Sequence, residues 1–352
     1  MLLSKDVIFR ELYATYKKRV KTKHVTKESY EFERNAGVYI EKAAEEIVNK
    51  TWKVKGYFPF QVYHPNRIIN APFYSDRVVE QWYVERFIIP TFKNDIMPYN
   101  MSCQEGKGPY KNMDITIKAI EEMYKKFGTK FTVFQFDMQG YFDNISHDFA
   151  INLISSKIDR EWLWLYENIV DSFDVKDGYA MLTDPEHKYG FPKGNLPSQW
   201  TGIVALNDLD HMIAEDKYCF HASRYMDDGI SFYKTIGQAR CAKEMTEKYL
   251  TDSKIGVRLH PIKTAYFPIS RGFTYCGWRY TLDNEGKVHV RIKNEKKKEQ
   301  KKRLKAISAS INTNDFDKIK ARRVQEGMFE YLTHGTESKN LIKYLYKTYP
   351  IP

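Results

Sequence analysis

The sequence has little cysteine and no long apolar run. Its four cysteines are widely spaced, with no Cys-x-x-Cys pair and no histidine at zinc-finger spacing. We therefore expect buried free thiols rather than a metal-bound framework. No stretch approaches the roughly 18 uninterrupted apolar residues of a membrane helix, and charge at Lys5 and Asp6 comes too early for a signal peptide. We expect a folded protein without a membrane segment and a cytoplasmic location.

The chain also lacks internal repeats and low-complexity linkers, so its lobes should be continuous with one another. What it does have is length and charge. At 352 residues it can hold two or three lobes, and 42% of its residues are hydrophobic, which permits a sizeable core. The formal net charge of +11 is expected of a protein that neutralises phosphates, although a solvated basic face would give the same excess.

Periodicity predicts helices in the first 50 residues and a hairpin after them. An apolar face at helical spacing is formed by Ala36, Ile40, Ala43 and Ile47. Two short strands between residues 61 and 72 are expected to meet at the turn formed by residues 64–66, and an amphipathic helix should open near residue 76.

Carboxylates end two predicted strand segments. Asp137 closes the apolar run that begins at Phe131, and a helix is expected from about residue 147 to residue 158. Asp227 and Asp228 occupy a predicted tight turn between two further strands. Asp137 could simply cap a helix or form a salt bridge, and adjacent aspartates are common in turns. Together, the two positions match a need of nucleotide transfer, which uses two Mg²⁺ ions about 3.5 to 4 Å apart.

Three ordered motifs resemble those of bacterial reverse transcriptases. The segment from Phe136 to Ile145 (FDMQGYFDNI) resembles motif A, and the segment from Tyr225 to Asp228 (YMDD) resembles motif C. Between them, the segment from Gly190 to Gln199 (GFPKGNLPSQ) looks like motif B, in the Gly-x-x-x-Ser-Gln form of diversity-generating retroelements.

Flanking segments extend the resemblance over most of the chain. Upstream, NRIINAP (66–72), SDRVV (75–79) and CQEGKG (103–108) look like the fingers motifs and the loop that follows them. Downstream, LHPIKT (259–264) is similar to motif D, and FTYCGW (273–278) is similar to the primer-grip motif E. The resemblance implies an α+β right-hand polymerase with fingers (1–115), a palm with an antiparallel sheet (116–282) and a helical thumb (283–352).

The resemblance also implies a set of metal ligands. Asp137 and Asp227 are the expected ligands of two Mg²⁺ ions, with Asp228 as a nearby carboxylate and the Met138 carbonyl as a backbone ligand. Oxygen donors of this kind suit Mg²⁺, which keeps several waters and takes few carboxylates. Lys263 of motif D is the candidate for protonating the pyrophosphate leaving group, with plain surface charge as the alternative.

Other positions are implied to contact the substrate. Phe142 matches the steric gate that crowds a ribose 2′-hydroxyl and favours deoxynucleotides, although core packing is the alternative. Arg67 resembles the fingers residue that clamps a triphosphate, a task that suits a guanidinium fork. The family's preceding lysine is absent, so the clamp is expected to be built differently. Gln199 belongs to motif B, and Lys193 departs from the aliphatic residue or Gln of related enzymes at a position near the nascent base pair.

The basic segment after residue 292 is expected to be a helix. Lysines and arginine crowd the run from Lys293 to Lys305, in a lysine-rich helix from Asn294 to Ile311, and a further helical segment should span Lys320 to Lys347. Together they could form a thumb. In a polymerase, this stretch would lie along the template–primer duplex and gain affinity by counterion release; otherwise it is a solvated helix face.

The resemblance therefore predicts RNA-directed synthesis of DNA from dNTPs on a dedicated RNA template, as in a diversity-generating retroelement. An antiphage defence enzyme that copies a noncoding RNA is the alternative, because Lys193 leaves the mutagenic role open. The expected partners are template or noncoding RNA, an RNA–DNA duplex, and an accessory protein or a second copy. An RNA polymerase of the same architecture, a catalytically inactive RNA-binding scaffold and a basic structural protein are the rival classes. Phe142 argues against the RNA polymerase, the intact carboxylates against the inactive scaffold, and the three ordered motifs against the structural protein.

Overall fold

The computed structural model describes residues 3–22, 26–63, 66–310, 315–335 and 338–348. In chain order, the α-helices in these residues are α1 (Lys5–Thr22), α2 (Lys27–Arg34), α3 (Ala36–Val48), α4 (Tyr74–Tyr83), α5 (Ile89–Phe92), α6 (Pro109–Phe127), α7 (Tyr141–Asn144), α8 (His147–Ser155), α9 (Arg160–Asp171), α10 (Tyr179–Thr183), α11 (Leu196–Ala205), α12 (Asn207–Ala214), α13 (Ile236–Asp252), α14 (Asn294–Ser310), α15 (Asp315–Thr333) and α16 (Ser338–Thr348). The strands are β1 (Tyr57–Tyr63), β2 (Asn66–Pro72), β3 (Thr132–Asp137), β4 (His221–Tyr225), β5 (Asp228–Tyr233), β6 (Ala265–Pro268), β7 (Phe273–Tyr275), β8 (Trp278–Leu282) and β9 (Val288–Ile292). With 56% helix, 16% strand and antiparallel sheets, the predicted α+β class is confirmed.

The chain forms two compact units, each built from separate segments. Unit 1 contains residues 1–103, 137–212 and 244–261, and unit 2 contains residues 104–136, 213–243 and 262–352. The predicted division into fingers, palm and thumb stays a prediction. Among the described helices, none combines the length and the apolar character needed to cross a membrane.

In unit 1, β1 and β2 form the expected hairpin, with Tyr63 opposite Asn66 at its closed end. Of the predicted turn, His64 and Pro65 lie outside the described residues, and Asn66 belongs to β2. The predicted apolar face of α3 is confirmed, because the four residues that form it, Ala36, Ile40, Ala43 and Ile47, are all buried.

Aromatic rings form much of the core of unit 1. The Trp82 ring packs edge-on against Trp162 at 5.8 Å between centroids, and Phe87 stacks on Trp162 at 4.8 Å. A π-helical turn (Val84–Ile88) continues α4 into α5. Pro90 has no N–H to donate in the turn that follows, which is one physical reason for the break in the α-helical pattern.

Unit 2 is organised around an antiparallel sheet of order β4-β5-β3-β6. The hairpin β4–β5 has Tyr225 opposite Asp228, so the predicted strand pair around the aspartates is confirmed. One face of this sheet is covered by α6, whose Ile120 and Met123 share a core with Phe131 and Ile230. A second sheet, β7-β8-β9, adds Trp278 and other buried rings to the same core.

Two expectations were wrong in detail. The continuous helix predicted from Lys320 to Lys347 is two helices, α15 and α16, and Gly335 follows the end of the first, as glycine often does. All four cysteines are free, as predicted, but none of them is fully buried: Cys103 and Cys241 are exposed, and Cys219 and Cys276 are half-buried.

Candidate functional site

The turn between β4 and β5 carries two of the predicted carboxylates. Its two central residues are Met226 and Asp227, and Met226 has a φ of +56°, as the first position of a tight hairpin turn requires. The buried Arg224 donates from Nη1 to the Met226 carbonyl at 2.7 Å. The buried Arg224 side chain therefore stabilises the turn from its interior side. Asp227 and Asp228 remain half-exposed.

The third predicted carboxylate, Asp137, ends β3. The Phe136 ring lies so close to Gly229 that a Cβ built there would be 2.2 Å from Phe136 Cζ. At the other end of the strands, the Phe131 and Phe232 rings are 5.8 Å apart. These two contacts make β3 antiparallel to β5, and within unit 2 they bring Phe136 and the first residues of β5 to the same end of the sheet.

The backbone beyond β3 is also fixed. His260 N donates to the Asp137 carbonyl at 2.7 Å, and Gln139 N donates to the Arg258 carbonyl at 2.9 Å. Met138 and Leu259 lie opposite each other between these bonds. In such a non-hydrogen-bonded antiparallel pair, the N–H and C=O of Met138 point away from Leu259. The Met138 carbonyl, which is the predicted backbone ligand of the metal, therefore makes no hydrogen bond to Leu259 in this pairing.

A chain of buried and half-buried polar groups supports Asp228. Cys276 N lies 3.5 Å from Asp228 Oδ2, and Asn112 Nδ2 donates to Cys276 Sγ at 3.1 Å. Ser223 Oγ in turn donates to Asn112 Oδ1 at 2.6 Å and accepts from the Tyr275 hydroxyl at 3.2 Å. Burial, with a smaller contribution from the Asp228 charge, raises the pKa of the Cys276 thiol. Sequence reasoning missed Asn112 and Ser223, for which no motif gave a signal.

The predicted gate residue Phe142 packs on the motif B helix. A Cβ built on Gly202 of α11 would be 3.0 Å from Phe142 Cε1, and the Tyr141 hydroxyl donates to the Gly202 carbonyl at 2.6 Å. Phe191 N also donates to the Phe142 carbonyl at 2.7 Å. Phe142 is half-buried, so the same ring both packs against α11 and keeps an exposed part.

Lys193 is paired with an acid of motif A. Its Nζ lies 2.7 Å from Asp143 Oδ2, and the two side chains are each 32% exposed. The loop that carries Lys193 is thus tied to the residue next to Phe142, an ion pair that sequence reasoning missed.

The start of α11 rests on a buried acid. Asn195 caps the helix by accepting from Ser198 N at 3.1 Å, and its amide nitrogen is 3.4 Å from Glu80 Oε1. Burial is the main reason that the pKa of Glu80 is raised to about 8, and the neighbouring Asp76 charge adds to it. Burial likewise raises the pKa of Asp76 to about 6. Gln199, in the first turns of α11, is half-buried.

The remaining predicted residues lie on the surface of their own units. Arg67 is exposed on β2, opposite Val62. Lys263 is exposed in the turn before β6. On α14, most of the basic side chains are exposed, whereas Leu304 and Gln300 are buried. The helix therefore has one inward face and one charged face.

Groups of three or more His, Cys, Asp or Glu side chains able to hold a metal are absent from the described part of the chain. In comparisons with known proteins, no family model matches this chain and no curated protein matches it. The resemblance to reverse transcriptases accordingly rests on the quoted motifs.

Proposed function

We propose that this protein is an RNA-directed DNA polymerase of the right-hand type, with fingers, palm and thumb as expected from the sequence. The observation that carries the proposal is the packing of Phe136 on Gly229. Asp137 follows Phe136 in the chain, and Asp228 precedes Gly229, so this packing supports the proposal that the three carboxylates serve one site. Carboxylates from two strands that meet in this way are what a two-metal nucleotidyl transfer site needs.

The donor types suit Mg²⁺, although the described side chains are not already gathered into a metal-holding group. Asp137, Asp227 and Asp228 offer hard carboxylate oxygens that are half-exposed, and the Met138 carbonyl points away from its Leu259 neighbour. In the proposed site, Asp137 and Asp227 would hold the two ions, with Asp228 as a nearby carboxylate. Two Mg²⁺ ions, when bound, would activate the primer 3′-hydroxyl and neutralise charge on the triphosphate.

The reaction joins the primer 3′-oxygen to the α-phosphorus of a dNTP. The bond from that phosphorus to the bridging oxygen breaks, and pyrophosphate leaves. Lys263 is the proposed proton donor to the leaving group, and Arg67 the proposed clamp on the triphosphate oxygens. Phe142 would exclude a ribose 2′-hydroxyl. Its packing on Gly202 supports this role, because a ring braced on a helix cannot easily move aside.

In the proposed complex, α14 binds the template–primer duplex. Its exposed basic side chains would neutralise phosphates and release counterions, while its buried Leu304 attaches it to the rest of unit 2. Lys193 and Gln199 are proposed to lie near the nascent base pair, with Lys193 acting through its ion pair with Asp143.

The proposed biological role is copying of a dedicated RNA template, as in a diversity-generating retroelement. A defence enzyme that copies a noncoding RNA has the same chemistry and the same site. A catalytically inactive RNA-binding scaffold is the rival from another class. Such a scaffold would not need hydrogen bonds that orient the carboxylates of the β4–β5 turn. The polar chain from Ser223 through Asn112 and Cys276 to Asp228 favours the enzyme, because it orients a half-exposed carboxylate.

The test replaces Asp227 and Asp228 with Asn, which keeps shape and removes charge. We expect loss of Mg²⁺-dependent dNTP incorporation on an RNA template, with RNA affinity largely retained. Asp252→Asn, an exposed acid on α13 that pairs with Lys248, is the matched control and should remain active. Persisting synthesis in the double variant would refute the mechanism. Sequencing the RNA that copurifies, and the DNA made from it, would then identify template and fidelity.

A further inference from the structure

Exposed aromatic rings and lysines cluster at the outer edge of the four-stranded sheet, where β4 is the edge strand. Tyr218 and Phe220, just before β4, are 45% and 43% exposed. The Phe127 ring at the end of α6 packs edge-on against Phe220 at 5.0 Å between centroids. We call this surface the lysine–aromatic patch; it consists of Lys126, Phe127, Lys217, Tyr218, Phe220 and Lys234, all in unit 2.

Each ring of the patch has an ammonium group beside it. Lys126 Nζ is 5.4 Å from the Phe220 centroid, and Lys217 Nζ is 4.8 Å from the Tyr218 centroid. Lys234 Nζ is 5.8 Å from the Phe127 centroid. These distances meet the usual criterion for cation–π contacts, which are weak at exposed sites. Such contacts do little to offset the exposure of the two rings, so a ligand that covers the rings has apolar surface to gain.

The patch is distant from the proposed metal site. Phe220 N donates to the Phe232 carbonyl at 2.9 Å, which places Phe220 beside the last residues of β5. From there, the five residues of β4 lead away to the turn that carries Asp227. Five strand residues span about 17 Å. A ligand on the patch is therefore not one that occupies the turn.

The combination of flat rings and ammonium groups selects among ligands. Single-stranded nucleic acid exposes base faces that stack on aromatic rings and phosphates that pair with lysines, and it binds proteins through both. A duplex hides its base faces and would leave the rings unused. Protein interfaces are depleted in lysine at their centre, which disfavours a protein partner. The acid next to Lys217 in the chain, Asp216, accepts from Tyr218 N at 3.1 Å.

We propose that the lysine–aromatic patch binds a single-stranded stretch of RNA away from the proposed metal site. The choice of RNA over DNA rests on the proposed function, in which the strand that arrives unpaired is an RNA template. A strand held here would keep the RNA attached to the protein while its copied part moves through the palm.

The experiment measures the fluorescence anisotropy of a labelled uridine oligoribonucleotide with the full-length protein. A saturating RNA–DNA hybrid is present to occupy the duplex site. The variant combines Tyr218→Leu with Phe220→Leu, which keeps apolar contact with Phe127 and removes the stacking faces. We expect at least about tenfold weaker binding, the size expected when one base no longer stacks. Tyr30→Leu, at an aromatic residue that is 58% exposed on α2, is the control and should bind like the wild type.

A second measurement tests the lysines. Lys126→Gln with Lys217→Gln should reduce the slope of log affinity against log salt by about 0.7 for each phosphate that a lysine no longer neutralises. Unchanged oligonucleotide affinity in the leucine variant would overturn the inference. So would tighter binding of the matching DNA oligonucleotide, or a concentration-dependent dimer that the leucine substitutions disperse without changing RNA affinity.

The inference and the proposed function can fail separately. If the leucine variant binds the oligonucleotide like the wild type while the wild type extends primers, the patch is not an RNA site and the polymerase proposal stands. If the wild type extends no primer but the leucine variant loses oligonucleotide binding, the patch is an RNA site and the polymerase proposal fails.

Discussion

Lys193 Nζ and Asp143 Oδ2 are 2.7 Å apart, across 50 residues of chain. The pair joins the loop before α11 to the short helix α7, which carries Phe142. Nearby, Phe191 N donates to the Phe142 carbonyl, so the loop and the helix are held by both backbone and side chain. A substitution in the loop before α11 should therefore alter the position of the Phe142 side chain, the proposed gate.

Removing either charge of this pair should weaken dNTP use. We expect Lys193→Met and Asp143→Asn each to raise the KM for dNTPs several-fold, because the loop loses a tether to α7. Both side chains are about one-third exposed, so the coupling free energy should be only about 0.5 to 1 kcal/mol. A double-mutant cycle that includes the charge-reversed pair Lys193→Asp with Asp143→Lys measures it. Strictly additive effects would show that the ion pair is inconsequential.

Reducing the Phe142 ring should relax sugar selectivity. Phe142→Val leaves space for a 2′-hydroxyl, and we expect ribonucleotide incorporation relative to deoxynucleotide incorporation to rise by about tenfold or more. Primer extension with matched rNTP and dNTP measures the ratio. Phe58→Val, at an aromatic residue that is 48% exposed, is the control. An unchanged ratio in Phe142→Val would remove Phe142 from the gate role.

A methyl group on Gly229 should separate β5 from β3. Gly229→Ala would place its Cβ 2.2 Å from Phe136 Cζ, and overpacking of this kind costs about 1 to 3 kcal/mol. We expect both the free energy of unfolding and dNTP incorporation to fall. Gly327→Ala on α15, where no atom lies within 4 Å of the added Cβ, should not be destabilised. Phe136→Leu in the Gly229→Ala background should recover part of the stability; failure to recover any would point to another cause.

Glu80 should make the protein less stable as pH rises. Its folded pKa of about 8 lies above its ordinary value, so folding favours the neutral carboxyl. The resulting stability is fully present below about pH 4.5 and is lost as pH rises through about 8. Asp76, with a pKa of about 6, acts in the same direction at lower pH.

Glu80→Gln removes this titration. We expect the variant to exceed the wild type in free energy of unfolding above pH 8, by on the order of a few kcal/mol, and to approach it near pH 4.5. Urea denaturation across this pH range measures the difference. Glu31→Gln on α2, an exposed acid beside Lys27, should follow the wild type. A Glu80→Gln curve parallel to that of the wild type would contradict the assignment.

Much of the local structure was predictable from the sequence. The apolar spacing of α3, the strand that ends at Asp137 and the hairpin around Asp227 all appear where periodicity and turn residues indicated them. Such features depend on neighbours within a few residues, so a sequence window contains the information. The break between α15 and α16 was missed, although Gly335 was a local signal for it.

The sequence by itself determined the order of the motif-like segments, the α+β class and the positions of the carboxylates at strand ends. Only the tertiary structure decided which side chains support them. The Asn112–Cys276 contact joins residues 164 positions apart, and the Lys193–Asp143 pair joins residues 50 positions apart. No local propensity encodes such contacts, because they form only when distant segments pack into a common core. The physical reason is that hydrogen bonds and ion pairs act over a few ångströms of space, whatever the separation along the chain.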